Sequence, residues 1–401
     1  MVVSGVKQGD IGVATPPVSG FALRTTIRNA ILLRVFVAIL LHFAAPEELF
    51  APDQLTYHYI GDAYARYWSG ETLFWPRAGG PPAYFYIVGV LYYFLGSSSL
   101  IPKVLNALVG GLSVGLVHDI SRRMTSSDAV AMRAAQLSAY FPSLVLWSAL
   151  NIRDIWIVAL ILLVCRQALA LHEHPSTRGL LVLAASLLAL AQFRSYILLA
   201  VALPMVLSFL VRNRSHLGRN VLVGMLVAGV VIYADQAAGV GRRLRTLDFA
   251  EIQYFRYWGG VGAKSDFAEA DISTPGKALA FLPKGVAFFL LAPFPWAISG
   301  LRQILTLPEM LFFYSLLPAM LRGIRRLIRE RLSDALMVLL VTAGLTFAYA
   351  LGSGNAGSAY RYRAQVLCFY MIFAAVGRGV ARRQVGVQPQ PLPARVPLKA
   401  G

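Results

Sequence analysis

Long apolar runs, separated by short polar and basic stretches, make up most of the 401-residue chain. Near-continuous apolar segments of about 20 residues are typical of helices that cross a bilayer. We predict ten spanning helices, at about residues 30–46, 100–121, 132–150, 155–172, 179–193, 196–211, 220–238, 304–321, 333–351 and 364–380. The pattern predicts an all-α polytopic membrane protein.

Two further apolar runs, 82–96 and 282–298, are short and rich in aromatic residues, proline or glycine. Tyrosines in the first run suit a helix at the membrane–water interface. In the second, Pro293 and Pro295 prevent a regular helix from continuing. We therefore expect both runs to lie on or dip into the outer leaflet rather than to span the membrane.

Composition supports a membrane protein, with 57% hydrophobic residues and a mean hydropathy of +0.61. The net charge of +18 could indicate nucleic acid, but the basic residues cluster between apolar runs. That is the pattern of cytoplasmic loops under the positive-inside rule. We therefore place residues 1–29 and a basic, disordered tail at 381–401 inside, and long loops at about 46–99 and 239–303 outside.

Two acids stand at the water-facing ends of apolar segments, Asp53 in the first outer loop and Asp154 in the second outer turn. A carboxylate near a membrane is costly, so it is a functional candidate by default. Helix capping is the alternative for each: Asp53 as an N-cap after Pro52, and Asp154 three residues after an Asn151 N-cap. Both readings stay open at this point.

The segment around Asp53, residues 52–68, has the three-and-four spacing of an amphipathic helix. His58 and Asp62 lie four residues apart on another face, so they could pair with each other. With Asp53 they could also hold a divalent metal ion, although two or three ligands in one loop are few for a metal site. No cofactor is required by the sequence, and the use of a metal stays open.

The predicted outer side carries more cations than the positive-inside rule explains. These residues are Arg153, Arg194, Arg242, Arg243, Arg245, Arg256, Lys264, Lys277, Lys284, Arg361 and Arg363. Arginine binds phosphate and pyrophosphate well, so a lipid phosphate headgroup would explain them. The segment 352–357 is rich in glycine and precedes Arg361 and Arg363. Glycines permit close backbone approach and a helix N-terminus favours anions, so we expect phosphate binding there.

These residues together resemble the GT-C class of integral membrane glycosyltransferases, and within it the family 39, protein mannosyltransferase-like branch. The resemblance extends over most of the chain and rests on short motifs in the expected order. They are Asp53 with Tyr57 and Trp68-Ser69-Gly70, Leu105–Arg123, Phe141-Pro142-Ser143 with Arg153-Asp154, and Tyr360–Arg363. Unlike the family, this chain has Asp-Gln rather than paired acids in the first loop.

The resemblance implies a multi-pass protein of a bacterial-type cytoplasmic membrane that transfers a hexosyl or pentosyl unit with inversion at the outer face. A polyprenyl-phosphate sugar would be the donor and a lipid or glycan the acceptor. Asp53 would act as the base, with Asp154 assisting. The family's basic residue that holds the lipid phosphate would be Arg361 or Arg363. Apart from the resemblance, the outer residues Arg153, Arg194, Tyr57 and His58 are further substrate-binding candidates.

Two other functions remain open at this stage. A lipid-linked glycan polymerase or ligase would also place outer arginines on pyrophosphate, without needing a first-loop acid. A transporter or flippase for such lipids predicts charged residues deep inside helices. Asp235 and Glu309 are the acids that fall in or near a predicted span, and neither has an obvious partner in the sequence.

Overall fold

The computed structural model describes residues 20–77, 82–212, 217–238, 249–260, 270–298 and 300–386. Fifteen α-helices and one short 3₁₀ helix, Glu47–Leu49, form the regular structure of these residues. The α-helices are α1 Gly20–Ala44, α2 Asp53–Trp68, α3 Ala83–Leu95, α4 Leu100–Thr125, α5 Asp128–Tyr140, α6 Pro142–Ser148, α7 Asp154–Glu173, α8 Thr177–Phe193, α9 Ser195–Arg212, α10 Leu217–Ala238, α11 Phe249–Gly260, α12 Pro275–Leu291, α13 Leu301–Glu330, α14 Leu332–Gly352 and α15 Ala356–Gly386. The all-α fold class is confirmed.

Each predicted spanning segment corresponds to helical structure, with two differences. Helix α1 begins at Gly20, about ten residues before the predicted start. The third segment, predicted as one helix over 132–150, is two helices, because Pro142 begins α6 and leaves Phe141 in an extended conformation. Among the described residues, five helices are long and apolar enough to cross a membrane, and four shorter apolar helices accompany them. The protein is a multi-pass integral membrane protein.

The break between α5 and α6 leaves backbone carbonyls without helical partners, and Arg34 of α1 supplies donors to them. Its Nη1 donates to the Ala139 carbonyl at 2.8 Å, and its Nη2 to the Ser138 carbonyl at 3.2 Å. The side chain is 2% exposed. An unpaired buried carbonyl is costly, so this arginine stabilises the break and ties it to α1.

Glycines allow a very close contact between α13 and α15. A Cβ added at Gly377 would lie 1.8 Å from the Ala319 carbonyl oxygen, and one at Gly323 would lie 1.9 Å from the Phe373 carbonyl oxygen. Small residues let helix backbones approach in this way in membrane proteins. This contact holds the C-terminal half of α15 against α13, and Arg361 lies near the N-terminal end of the same helix.

The first long loop folds into a helical hairpin of α2 and α3. Glycines again allow close contact, since a Cβ at Gly61 would lie 2.4 Å from the Val88 side chain. The hairpin is anchored at its base, where buried Lys103 of α4 pairs with Glu47 at 3.0 Å and Ser99 also bonds that carboxylate. These two hydrogen bonds lower the pKa of Glu47 in spite of the opposing effect of its burial.

Candidate functional site

One arginine joins the two candidate acids. Arg361, in the first turns of α15, donates from Nη1 to Asp53 Oδ2 at 2.8 Å. It also donates to Asp154 Oδ2, from Nε at 3.0 Å and from Nη2 at 2.7 Å. Residues from α2, α7 and α15 therefore meet at one end of the bundle, although 308 positions separate Asp53 from Arg361 in the chain.

Asp154 is the buried member of this group, with its side chain 2% exposed. Its second oxygen accepts a hydrogen bond from Gln365 Nε2 at 3.1 Å. The capping interpretation for this residue is wrong: α7 begins at Asp154 itself, and its N-cap residue, Arg153, makes no side-chain capping bond. Both carboxylate oxygens are engaged by α15, so this acid is suited to holding Arg361 rather than to exchanging protons.

Asp53 is the accessible member, with its side chain 52% exposed. It is the first residue of α2 rather than its N-cap, and the N-cap Pro52 makes no side-chain bond. Arg361 engages only its Oδ2 among the contacts of the described residues. A carboxylate that is oriented on one side and open on the other can accept a proton from a bound hydroxyl.

Asn106 is a site residue that sequence reasoning missed. It is fully buried in α4, and its Nδ2 lies 2.7 Å from the Leu150 carbonyl and 2.9 Å from the Ile152 carbonyl. Its Oδ1 accepts from the Trp156 ring nitrogen at 2.8 Å. The turn that leads into Asp154 is therefore held by a side chain 48 residues earlier. The feature of the sequence that could have indicated this role is a lone asparagine inside an apolar run.

The same turn is tied to the α2–α3 hairpin. Tyr84 accepts from Asn106 at 2.8 Å and donates to Asn151 Oδ1 at 2.9 Å. Gln54, the residue after the candidate base, accepts from the Asn151 backbone N–H at 3.0 Å. Gln54 is 2% exposed, so the glutamine that replaces a second acid in this loop has a structural role. The network fixes Asp53 and Asp154 relative to each other.

Two further arginines lie near the acids. Arg153 and Arg194 both interact electrostatically with Asp154, more weakly than Arg361 does. Arg153 is partly exposed, whereas Arg194 is 6% exposed and its guanidinium lies 4.5 Å from the centre of the Tyr362 ring. Three arginines thus accompany two carboxylates, and this surplus of positive charge suits an anionic ligand.

Arg363 lies elsewhere, contrary to the expectation that it joins Arg361. Residues two apart on a helix point in opposite directions. Arg363 is 1% exposed, donates to the Leu290 carbonyl, and packs on the rings of Phe313 and Tyr360. Its role is to pack α15 against α12 and α13.

Tyr57 is buried in the α2–α3 hairpin, and His58 is partly exposed beside α3. Tyr57 is 5% exposed and packs on Tyr84, with ring centres 4.8 Å apart. Burial raises the pKa of Tyr57 to about 12. His58 Nδ1 lies 2.8 Å from the Tyr92 hydroxyl of α3. The expected pairing of His58 with Asp62 is wrong, because Asp62 pairs with Arg66 at 2.9 Å.

Part of the glycine-rich segment before α15 contacts α11, whereas a Cβ added at Gly352 would have nothing within 4 Å. A Cβ at Gly354 would lie 2.2 Å from the Arg256 carbonyl oxygen, and Asn355 Nδ2 donates to the Gly259 carbonyl at 2.5 Å. Asn355 Oδ1 also accepts from the Ser358 backbone N–H at 2.8 Å and so caps α15. Gly354 and Asn355 thus dock α11 and cap α15, and phosphate binding by this segment stays a prediction.

The other cations predicted on the outer side, and the two acids predicted in or near a span, have the following surroundings. Arg256 is buried with its guanidinium over the Phe281 ring, Lys277 pairs with Asp271 at 2.5 Å, and Lys284 lies near Phe288. Arg242, Arg243, Arg245 and Lys264 lie outside the described residues, as does the Asp235 side chain. Glu309 has a partner after all, since the Tyr360 hydroxyl donates to it at 2.7 Å. Within the described part of the chain, no group of three His, Cys, Asp or Glu side chains is placed to hold a metal ion.

Comparisons with known proteins agree with this architecture. Residues 79–235 match the family model of dolichyl-phosphate-mannose-protein mannosyltransferases. This stretch of the chain includes Arg153, Asp154 and Arg194. No curated protein sequence matches the chain. The fold is similar to ArnT from Cupriavidus metallidurans, solved with bound undecaprenyl phosphate, with a TM-score of 0.57, 15% identity and 92% of this chain covered.

It is also similar to the oligosaccharyltransferase AglB from Archaeoglobus fulgidus, solved with an inhibitory peptide and a dolichol-phosphate. That match has a TM-score of 0.53 and 13% identity and covers 90% of this chain. The chain spans 63% of the ArnT chain and 51% of the AglB chain. It has the fold of the GT-C membrane glycosyltransferases and resembles their protein mannosyltransferase branch over residues 79–235.

Proposed function

We propose that this protein transfers a sugar from a polyprenyl-phosphate donor to a lipid or glycan acceptor at the outer membrane face. The observation that carries the proposal is the Asp53–Arg361–Asp154 group, an accessible carboxylate held by an arginine that a buried acid anchors. Structures with the same fold were solved with undecaprenyl phosphate and dolichol-phosphate, which supports a lipid phosphate as the donor's carrier.

In the proposed reaction, an acceptor hydroxyl attacks the anomeric carbon of the donor sugar. The bond from that carbon to the phosphate oxygen breaks, and the lipid phosphate leaves with the bonding electrons. Asp53 takes the proton of the hydroxyl on the carboxylate oxygen that Arg361 does not engage. Backside attack on a single displacement step inverts the anomeric centre, which is the stereochemistry we expect.

The leaving phosphate needs positive charge that is already oriented, since such stabilisation is often the largest part of catalysis. Arg153 and Arg194 fit this role, because both lie near Asp154 and Arg153 is partly exposed. Arg361 is committed to the two acids, so we assign it to orienting Asp53. Asp154 is accordingly a positioning residue rather than a second catalytic acid, because both of its oxygens are bonded to α15.

The charge pattern of the connections supports an outer-face site. The last turns of α13 carry Arg325, Arg326 and Arg329, Arg331 follows before α14, and α4 ends in Arg122 and Arg123. The positive-inside rule places such clusters in the cytoplasm. Asp154 and Arg361 lie near the N-terminal ends of α7 and α15, away from these clusters, and Asp53 contacts Arg361, so the charge pattern supports a site on the outer face.

The test measures release of polyprenyl phosphate by purified protein from polyprenyl-phosphate hexose and pentose donors, with membrane lipid extract as acceptor. Asp53→Asn is expected to lower the rate by about 10²- to 10⁴-fold, the usual contribution of a general base. Asp62→Asn is the matched control in the same helix and should retain activity, since Asp62 only pairs with Arg66. Near-full transfer by the Asp53 variant would contradict the base role and favour a polymerase or ligase.

A further inference from the structure

A groove of about 300 Å³ lies on the bundle away from the candidate site, between α5 and α13 and against α15. Arg133, Gln136, Leu137 and Tyr140 line one wall, at spacings that place them on one face of α5. Phe312 of α13 lines the other wall, and Arg378 comes from α15. None of the described residues that line it is acidic.

The groove has a basic end and an aromatic end. Gly379 lies beside Val130, since an added Cβ would be 3.7 Å from that side chain. Arg378 adjoins Gly379 and Arg133 follows Val130 by three residues, so the two arginines lie at nearly the same height along α15 and α5. Tyr140 lies seven residues further along α5, about 10 Å away at the rise of an α-helix. At that end the ring centres of Phe141 and Phe312 are 6.0 Å apart.

The groove opens to the surface of the bundle. Tyr140 is 47% exposed and Phe312 is 41% exposed, and Gln136 and Arg378 are also exposed. In a membrane protein, such exposed aromatic and apolar side chains face lipid. The occupant that suits both ends is therefore an amphiphile with an anionic head and an apolar chain.

The position of the basic end indicates which leaflet supplies that amphiphile. Val130 follows the connection after Arg122 and Arg123, and Arg378 lies near the C-terminal end of α15. This is the end of the bundle that the positive-inside rule assigns to the cytoplasm. Basic pockets between helices on that side bind the headgroups of anionic lipids.

We propose that this groove binds an anionic glycerophospholipid of the cytoplasmic leaflet. The headgroup phosphate lies at Arg133 and Arg378, and an acyl chain follows the groove towards Tyr140 and Phe312. The site is separate from sugar transfer and does not depend on it. Its consequence is that the lipid contacts α5, α13 and α15 together, the helices that set the position of Arg361.

The test uses protein in nanodiscs or detergent with defined lipids, read by native mass spectrometry. Phosphatidylglycerol is expected to stay bound to the wild-type protein in preference to phosphatidylcholine. At about 1 kcal/mol per arginine, Arg378→Gln should weaken phosphatidylglycerol binding roughly 5-fold, and the double variant with Arg133→Gln roughly 30-fold. Arg178→Gln, at an exposed arginine of α8 outside the groove, is the matched control and should bind normally.

Three outcomes would overturn the proposal. Arg378→Gln and Arg178→Gln could bind phosphatidylglycerol equally well, or the wild-type protein could bind phosphatidylcholine as tightly. Undecaprenyl phosphate could displace phosphatidylglycerol at much lower concentration, which would make the carrier lipid the occupant. Because Arg378 is exposed, its replacement leaves the packing intact, and an unchanged thermal unfolding profile verifies this.

Discussion

Replacement of Asp154 by asparagine is expected to destabilise the protein far more than replacement of Asp53. The two acids bind the same arginine at nearly the same distance, 2.7 Å and 2.8 Å. They differ in exposure, 2% for the Asp154 side chain against 52% for Asp53. Water can solvate Asp53 and its partner when the pair breaks, but it cannot reach Asp154.

The magnitude follows from the bonds that lose their charge. Arg361 donates two hydrogen bonds to Asp154, and each loses about 1–1.5 kcal/mol when the acceptor becomes neutral. With the charge of Arg361 left mainly to the exposed Asp53, the total is about 3 kcal/mol, the lower end of what a broken buried pair costs. An exposed pair contributes about 0–1 kcal/mol, so Asp53→Asn should leave stability almost unchanged.

The assay is unfolding of the detergent-solubilised protein by SDS, followed by tryptophan fluorescence, for the wild type and three variants. The third variant, Asp119→Asn, makes the same change at an acid that is 29% exposed and pairs with Arg166 at 2.7 Å and with Arg123 at 3.3 Å. It controls for the loss of a carboxylate as such, and should cost about 1 kcal/mol or less.

The reasoning is refuted if Asp154→Asn is no less stable than Asp119→Asn, or if Asp53→Asn is the less stable of the two site variants. A double-mutant cycle of Asp154→Asn with Arg361→Gln adds a second check. Since the two side chains are in contact, their effects should be non-additive by about 1–3 kcal/mol.

Three further results are expected. Gly377→Ala should cost about 1–3 kcal/mol in the same assay because its Cβ overlaps a backbone carbonyl of α13, whereas Gly224→Ala, with nothing within 4 Å, should be neutral or stabilising. Asn106→Leu should lower both stability, by about 2–3 kcal/mol, and transfer rate, since it leaves buried carbonyls unpaired beside Asp154. Because the pKa of Glu47 is lowered, its pairing with Lys103 stabilises above the usual pKa of glutamate and is lost as the pH falls. Unfolding of Glu47→Gln and the wild type should therefore differ at pH 7 and converge only once the pH has fallen through the lowered pKa of Glu47, below the usual value of about 4.3.

The helices were predictable because the apolar runs are long and the bilayer limits the structures that can cross it. The positions of the helix ends were less predictable. The capping predictions for Asp53 and Asp154 were wrong because a long-range ion pair from α15 competes for the same carboxylates. The break at Pro142 was visible in the sequence, but Arg34, which satisfies the carbonyls at that break, lies over 100 residues earlier.

In the candidate site, too, some features could be predicted from the sequence and others could not. The sequence identified Asp53, Asp154 and Arg361 as candidates, because charged residues at the ends of apolar segments are rare and costly. It could not separate Arg361 from Arg363, since that depends on the rotation of α15 about its axis. In the structure Arg363 donates to the Leu290 carbonyl, whereas Arg361 donates to the two acids.

By itself the sequence determined that the chain is a multi-pass helical membrane protein, because hydropathy acts along each segment independently of its neighbours. It also determined which few acids and arginines stand at segment ends. Only the tertiary structure decided their roles. Burial and pairing depend on residues distant in the chain, and these make Asp154 an anchor, leave Asp53 open, and commit Arg361 to both.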